Sequence, residues 1–552
     1  MPTGADLFVD AIQSLGINQI FTLVGDHLNE VLEVAGRRGL VIFDMRHESG
    51  VTHAADAWAR ITRQPALSLV TGGPGHTNSL TGIATAFLAG SPLISVSGSR
   101  ATTAADRQGF QDIDQIGMVQ PVVKWAAQPP NSEQIPFYVG RAYSEAVSGR
   151  MGPVHLTIPV DLFRAQAPAP AALPLPPAKL AIPPTASDVE QTLTLLRGAE
   201  RPVIVAGGGV WWSQAEDELR QFIERTNIPL YTISLGRGAV SDLHPLCMGY
   251  ADPALNRAVL DVYKECDLIL MLGKRIDFRF ALGSPRVFPA AARIVQIDIH
   301  PQELGMNRRL DLGICADVKA MLQAMLDAIG DDAWTARSWL ARVRALRAKW
   351  EAHLAEASRE TGSPMHASAF YRELQQALPP ETLISWDAAD FAHWGRAIVP
   401  ARHAGGWMRL GPLATIGSGL PNALALQLAN PGKPVALVSG DGSFGFYIAE
   451  LDTAVRHNLP VVVIIGNDAG WGLEREFQRA ATGCADTVAC ELRNTRYDIV
   501  MKGFGGEGET IRSLDEVQPA VKRAFASGMP YLLNVEVRGA GSPLSEWQIA
   551  RK

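Results

Sequence analysis

At 552 residues the chain is too long for a single hydrophobic core and is long enough for three domains of ordinary size. Its 47% hydrophobic and 19% charged content excludes disorder, and a formal charge of −6 without a basic block argues against a nucleic-acid surface. Five cysteines without CxxC spacing predict reduced thiols in a cytoplasmic enzyme, and no apolar run nears the roughly 18 residues of a membrane span.

The N-terminal MPTGADLFVDAIQSLG has no basic leader and reads as a helix entered through Thr3. The apolar runs QIFTLVG, LVIFDMRH, ALSLVTGG, PLISVSGS and PVHLTIPVD then alternate with helical patterns, predicting an α/β domain on a mostly parallel sheet over residues 1–165. Residues 166–188 are too rich in proline for helix or sheet and read as an extended linker. A second α/β set, with PVIVAGGGV, PLYTI, DLILMLGKR and RIVQIDIHP, fills 189–330 as a Rossmann-like middle domain. A charged connecting helix occupies 331–364. The third set, TLISWD, PVALVSGDG, VVVIIGND and PYLLNVEV, spans 365–540 and leaves a tail at 541–552. The first and third sets read as two copies of one sheet plan.

The stretch GDGSFG, Gly440 to Gly445, fits G-x-G-x-x-G between an apolar strand and a helical pattern, with Asp468 ending the next apolar run. A glycine-rich turn of this kind aims backbone N–H groups at phosphate. Asp441, inside the turn, would repel that phosphate unless a cation stood between them. With Asp468 as a second oxygen ligand, the loop suits Mg²⁺ and a diphosphate. A dinucleotide site remains open on this stretch alone, because a lone G-x-G-x-x-G is a weak signal.

GDGSF followed by ND at the tip of the next strand resembles the signature of thiamine-diphosphate (ThDP) enzymes. The resemblance implies that Gly440, Asp441, Gly442 and Ser443 cradle the metal diphosphate, and that Asp441, Asp468 and the Gly470 carbonyl ligate Mg²⁺. The family usually has Asn at the position of Asp468, so this site would carry an extra negative charge. In FDMRHESGVTH, Glu48 falls where the family puts the carboxyl that bonds the aminopyrimidine and helps deprotonate the thiazolium. Its bland alternatives are a pair with Arg46 or a helix cap. Ile416, in GPLATIGSGLP, matches the bulky residue that bends the cofactor into a V. TGGPGHTNSLTG and GFQDIDQ resemble the pyrimidine-binding domain, with His76 as a weaker cofactor contact. The implied fold places pyrimidine- and diphosphate-binding domains around the middle one.

The resemblance is strongest to 2-hydroxyacyl-CoA lyases, oxalyl-CoA decarboxylases and benzaldehyde-lyase-like enzymes. It places His27 and Gln111 at the reacting carbon, His27 as a base for the substrate hydroxyl, against the alternative of a helix cap after Gly25. Glu491, in VACELRNTRYD, is the nearest further carboxyl for proton transfer. In the middle domain, Arg275 and Asp298 would bind ADP by phosphate and ribose, or surface ion pairs would account for them; VAGGGVWWS also permits FAD. The basic IARK ending would suit a lid over CoA phosphates. The implied activity is cleavage of a 2-hydroxyacyl-CoA to formyl-CoA and an aldehyde or ketone, and the reverse condensation. The rivals are a 2-keto-acid decarboxylase or acetolactate-synthase-like ligase on free acids, a benzaldehyde-lyase-like acyloin lyase, and a non-catalytic regulatory subunit, against which Glu48 argues. The family's cofactor spans two chains, which implies a homodimer at least and a homotetramer commonly.

Overall fold

The computed structural model describes residues 1–176, 181–331, 334–335 and 337–550. Thr3 starts the first helix, Gly4–Ser14, through a capping box: its hydroxyl accepts the Asp6 N–H at 3.2 Å, and the Asp6 carboxylate accepts the Thr3 N–H at 2.9 Å.

The first sheet contains β1 (Gln19–Thr22), β2 (Val41–Asp44), β3 (Ala66–Val70), β4 (Leu93–Ser99), β5 (Ala126–Ala127) and β6 (Val154–Pro159), in the order β2-β1-β3-β4-β6-β5. β3, β4 and β6 are buried at every position, because helices cover both faces. Their sequences therefore run apolar without alternation. The middle sheet contains β7 (Pro202–Ala206), β8 (Leu230–Thr232), β9 (Cys247–Tyr250), β10 (Leu268–Leu272), β11 (Arg293–Asp298) and β12 (Leu312–Cys315). Its order, β12-β11-β10-β7-β8-β9, is that of a doubly wound nucleotide-binding sheet, with the reversal between β7 and β10.

The third sheet contains β13 (Leu383–Trp386), β14 (Trp407–Arg409), β15 (Val435–Gly440), β16 (Val461–Asn467), β17 (Glu507–Ile511) and β18 (Tyr531–Glu536), in the order β14-β13-β15-β16-β18-β17. Numbered within its own domain, that is the order of the first sheet, so the two share one plan. The paired strands run parallel in all three sheets.

One apolar core joins the first and third domains. It includes Val51, Ala54 and Ala55 from the helix Glu48–Thr62 and Leu420, Ala423 and Leu424 from the helix Gly419–Ala429. Small side chains on both helices let their backbones approach closely, which fixes the strand ends of the two domains relative to one another. The proline-rich segment is held against the first domain rather than standing free, since the Ser14 hydroxyl donates to the Pro174 carbonyl at 2.7 Å. Residues 177–180 of the expected linker lie outside the described residues. The connecting helix forms over Ser338–Ala357 and buries Trp339, Leu340, Val343 and Leu346 against the middle domain. All five cysteines are free thiols. Among the described residues no helix is long and apolar enough to cross a membrane.

Candidate active site

In the first domain the candidate residues gather at the C-terminal ends of β1 to β4, where parallel sheets expose loop backbone to ligands. Glu48 begins the helix after β2, with His47 as its N-cap. It is half-buried, and its carboxylate accepts from Asn78 Nδ2 at 3.0 Å, so neither a pair with Arg46 nor a capping role accounts for it. Asn78 lies on the helix that starts in the TGGPG loop, and Thr71 of the same loop bonds His27 Nδ1 at 3.0 Å. His27 is buried, and its Nδ1 also accepts the Gly72 N–H at 3.2 Å. That bond leaves the ring proton on Nε2. Burial holds the imidazole below its usual range, against the pull of Asp26. As placed, His27 offers an N–H donor rather than the base expected, because its one lone pair is engaged. Gln111, half-buried in the left-handed region at φ +56°, lies against Gly73 of the same loop.

His76 is a correction to the sequence reading. It faces the interior, fully buried, with Nδ1 3.4 Å from Ser97 Oγ and its ring against His155, and burial pushes it down to about 4. It sits on the inner side of a helix whose outer side carries Asn78. The buried residue that does support the loop is Gln115: it accepts from Gly73 N at 3.0 Å and donates to the Gly98 carbonyl at 3.2 Å.

The third domain presents the GDGSF turn at the end of β15. Asp441 is 1% exposed and accepts the Gly470 N–H at 3.0 Å. Burial, and then the neighbouring Asp468, push its carboxyl up to about 7; burial raises Asp468 as well, against the pull of Arg475. Two buried carboxylates facing each other need a cation or a shared proton. Ala469 between the ligand positions is held at φ +54°, a strain typical of built sites. The Ile416 loop packs on this turn: a side chain on Gly417, at φ +84°, would strike the Ser443 carbonyl at 2.8 Å. Asp387, at the end of β13, holds that loop by accepting from Gly417 N at 3.0 Å and Gly419 N at 3.2 Å. Glu450 and Tyr447, just beyond the turn, tie it to the Glu48 helix. Glu450 accepts the Arg46 N–H at 3.2 Å, and Tyr447 bonds Ser49 at 2.7 Å.

Three family models cover this arrangement: the thiamine pyrophosphate enzyme N-terminal TPP-binding domain over 2–118, the central domain over 189–325 and the C-terminal TPP-binding domain over 387–535. An acetolactate synthase large subunit of Mycobacterium tuberculosis is 34% identical over 96% of this chain and 94% of its own. The chain belongs to the thiamine-diphosphate enzyme family. It is also similar to 2-hydroxyacyl-CoA lyase 1 of Mus musculus, 29% identical over 97% of this chain and 94% of that one. Sulfoacetaldehyde acetyltransferase of Castellaniella defragrans is 27% identical over 96% and 91%.

The donor set fits a ThDP enzyme's metal. Among the described residues no group of three or more His, Cys, Asp or Glu forms a complete cage. Asp441 and Asp468 could supply two oxygens, and an octahedral Mg²⁺ would draw the rest from backbone and diphosphate. The charge of Asp468 is balanced by a residue the sequence reading did not single out. Arg475, 8% exposed, donates to Asp468 Oδ2 at 3.4 Å, to the carbonyls of Asp468 and Ala469, and to both Glu491 oxygens at 2.9 and 2.7 Å. Its guanidinium fills the space a Gly470 side chain would need. Glu491, expected to transfer protons, is instead the exposed end of this clasp. The hydrogen bonds from Arg475 hold it below the usual carboxylate range, so it stays ionised.

Arg475→Met should lower the unfolding free energy of the metal-free protein by about 1.5–3 kcal/mol, the scale of hydrogen bonds to charged groups. Denaturant unfolding reads this directly. A change under about 0.5 kcal/mol, ordinary for a surface residue, would show that the clasp carries no weight.

In the middle domain of this ThDP enzyme, Arg275 Nη1 and Arg150 Nη1 converge on Glu303 at 3.4 and 3.1 Å, and both arginines donate to the Leu88 carbonyl of the first domain. Asp298 is raised by burial and accepts the His300 N–H at 3.0 Å. The ion pair expected as the bland reading of Arg275 is present, and Arg150 is its unforeseen partner. In VAGGGV, the N–H groups of Gly207 and Gly209 donate to the Leu272 and Gly273 carbonyls, so these two are not offered to a phosphate. The tail is docked: Ser542 N donates to Asp390 at 3.0 Å and Trp394 Nε1 donates to the Gly541 carbonyl at 3.2 Å. Arg551 and Lys552, which would have met CoA phosphates, lie outside the described residues.

Proposed function

We propose that the protein is a ThDP- and Mg²⁺-dependent carbon–carbon lyase and carboligase, acting on a bond next to a hydroxyl. Its substrate on this reading is a 2-hydroxyacyl-CoA, split to formyl-CoA and an aldehyde or ketone. The observation that carries the reading is the grouping of Glu48, His27 and Gln111 around one glycine-rich loop at the sheet end. When bound, ThDP supplies a thiazolium carbon nucleophile. Glu48 would bond the aminopyrimidine and hold its proton, with Ile416 supporting the bend between the two rings. His27 Nε2–H, with Gln111, would orient the substrate oxygen at the bond to be broken. Asp441, Asp468 and the Gly470 carbonyl would hold Mg²⁺, and Gly440, Gly442 and Ser443 the diphosphate.

On this reading Arg150 and Arg275 would exchange their shared acceptor Glu303 for a CoA phosphate, beside Asp298 in a nucleotide-binding type of sheet. ADP, or FAD less readily, would occupy the same cleft. Similarity to a 2-hydroxyacyl-CoA lyase points the same way. The cofactor would span the first domain of one chain and the third of a partner, in a homodimer or homotetramer. A second reading, an acetolactate-synthase-like ligase on free 2-keto acids, is favoured by the 34% identity to such a synthase. Incubating the ThDP–Mg²⁺ enzyme with formyl-CoA and a ketone or aldehyde, and separately with pyruvate, decides between them. A 2-hydroxyacyl-CoA product supports the first reading; acetolactate or carbon dioxide from pyruvate, with no thioester product, replaces it with the second.

A further inference from the structure

Arg475 is a buried cation set beside the two carboxylates that would hold another cation. A guanidinium carries five N–H groups in a fixed fork. All five are engaged here. Nε donates to Glu491 Oε1 at 2.9 Å, and Nη2 donates to Glu491 Oε2 and to the Ala469 carbonyl, each at 2.7 Å. Nη1 donates to the Asp468 carbonyl at 3.1 Å and to Asp468 Oδ2 at 3.4 Å. The bond to Oδ2 is the longest of the set, and the other four hold the guanidinium in place if it is given up.

Backbone from the tail and from the next helix closes over the same oxygen. A side chain on Gly539 or Gly472 would meet Asp468 Oδ2 at 3.1 or 2.6 Å, so water screens the pair little. Glu491 lies at the outer end with its side chain 66% exposed, and its charge is largely solvated. The buried balance is therefore Asp441 and Asp468 against Arg475. A contact that stabilises the two carboxylates without metal opposes the metal by the same free energy, because linkage is reciprocal. An arginine that only supported the loop would act in the reverse sense, since its loss would loosen Asp468 and weaken the metal.

We propose that Arg475 is a resident counter-cation of the Asp441–Asp468 site, sharing Asp468 with the metal and thereby lowering the affinity for Mg²⁺. Glu491 pulls on the other side of the same guanidinium and sets how much of its charge Asp468 receives. The inference rests on the Mg²⁺ site of the proposed function.

Calorimetric titration of Mg²⁺ into the full chain tests it, with ThDP at one concentration in cell and syringe and at fixed ionic strength. The pH is 8, above the value of about 7 to which burial and Asp468 push Asp441. Arg475→Gln should bind Mg²⁺ at least about fivefold more tightly, the lower end of coupling between linked sites. Glu491→Gln should bind it more weakly by a similar factor. In an Asp468→Asn background, Arg475→Gln should shift the affinity by less than about twofold, because the shared ligand is gone. Circular dichroism confirms folding, and Glu491→Gln, a change at the surface, still decides the matter if Arg475→Gln does not fold. Weaker or unchanged Mg²⁺ binding in Arg475→Gln overturns the proposal. So does the same tightening without Asp468, or undiminished binding in Glu491→Gln. Asp441→Asn tests the reading beneath it: wild-type Mg²⁺ affinity in that variant would remove the metal site itself, whereas weakened binding there with no tightening in Arg475→Gln would remove the counter-cation alone.

Discussion

Glu48→Gln should reduce turnover by roughly 10²–10⁴-fold, the range for loss of a positioned general acid or base, while ThDP and Mg²⁺ still bind. The structure explains why the effect should be confined to chemistry. Glu48 takes no part in an ion pair and does not cap its helix, whose start is held instead by His47, Glu450 and Tyr447. Among the described residues its one bond to another side chain comes from Asn78. Glutamine keeps the shape and removes the charge, so thermal midpoint and calorimetric cofactor affinity should change little. Mixing Glu48→Gln chains with Asp441→Asn chains should restore one working site per dimer if the cofactor spans two chains. Full activity in Glu48→Gln would remove the residue from the mechanism, and no recovery on mixing would place the whole site within one chain.

Asp441→Asn should weaken Mg²⁺ and ThDP binding by more than the roughly 10–100-fold typical of an outer-shell partner. The same residue should set a pH dependence. In the metal-free protein its carboxyl is raised from 3.8 to about 7 by burial and by Asp468. A carboxyl raised by folding favours the folded state where it is protonated, so its contribution is complete at low pH and is lost as pH rises through about 7. Mg²⁺ bound there would take the place of that proton. Metal-free protein should therefore lose thermal stability as pH rises from about 4 to about 7, and the stabilisation by Mg²⁺–ThDP should grow over the same range. Binding should release a proton below about pH 7. Thermal midpoints of metal-free and loaded protein between pH 5 and 8 check this, with Asp441→Asn flattening the metal-free profile. A wild-type profile already flat would show that the two carboxyls do not interact.

Much of this site was legible because its parts are local in sequence. The GDGSF turn, the acid at the tip of the next strand and the Glu after β2 each sit at a strand-to-helix junction that an apolar run announces. The supports were not legible. Asp387, Glu450 and Gln115 look like any polar residue at an element's end, and their roles depend on loops brought to them by the sheet. His27 and His76 sit in similar glycine-rich settings, but one ring bonds Thr71 and Gly72 of the loop and the other faces His155. A difference of helix facing separates them, and no motif marks it.

The sequence by itself determined the three α/β sets in order, the likeness of the first and third, the glycine-rich turn with Asp441 and Asp468, and the placing of Glu48 at a strand end. These follow from hydrophobic runs, turn residues and charge, which act over a few neighbours. Only the tertiary structure decided that Arg475 ties Glu491 to the Asp468 loop, that Arg150 joins Arg275, and that His27 presents an N–H. Electrostatic partnership depends on distance and burial in space, and residues apart in the chain acquire both only when the loops and domains pack.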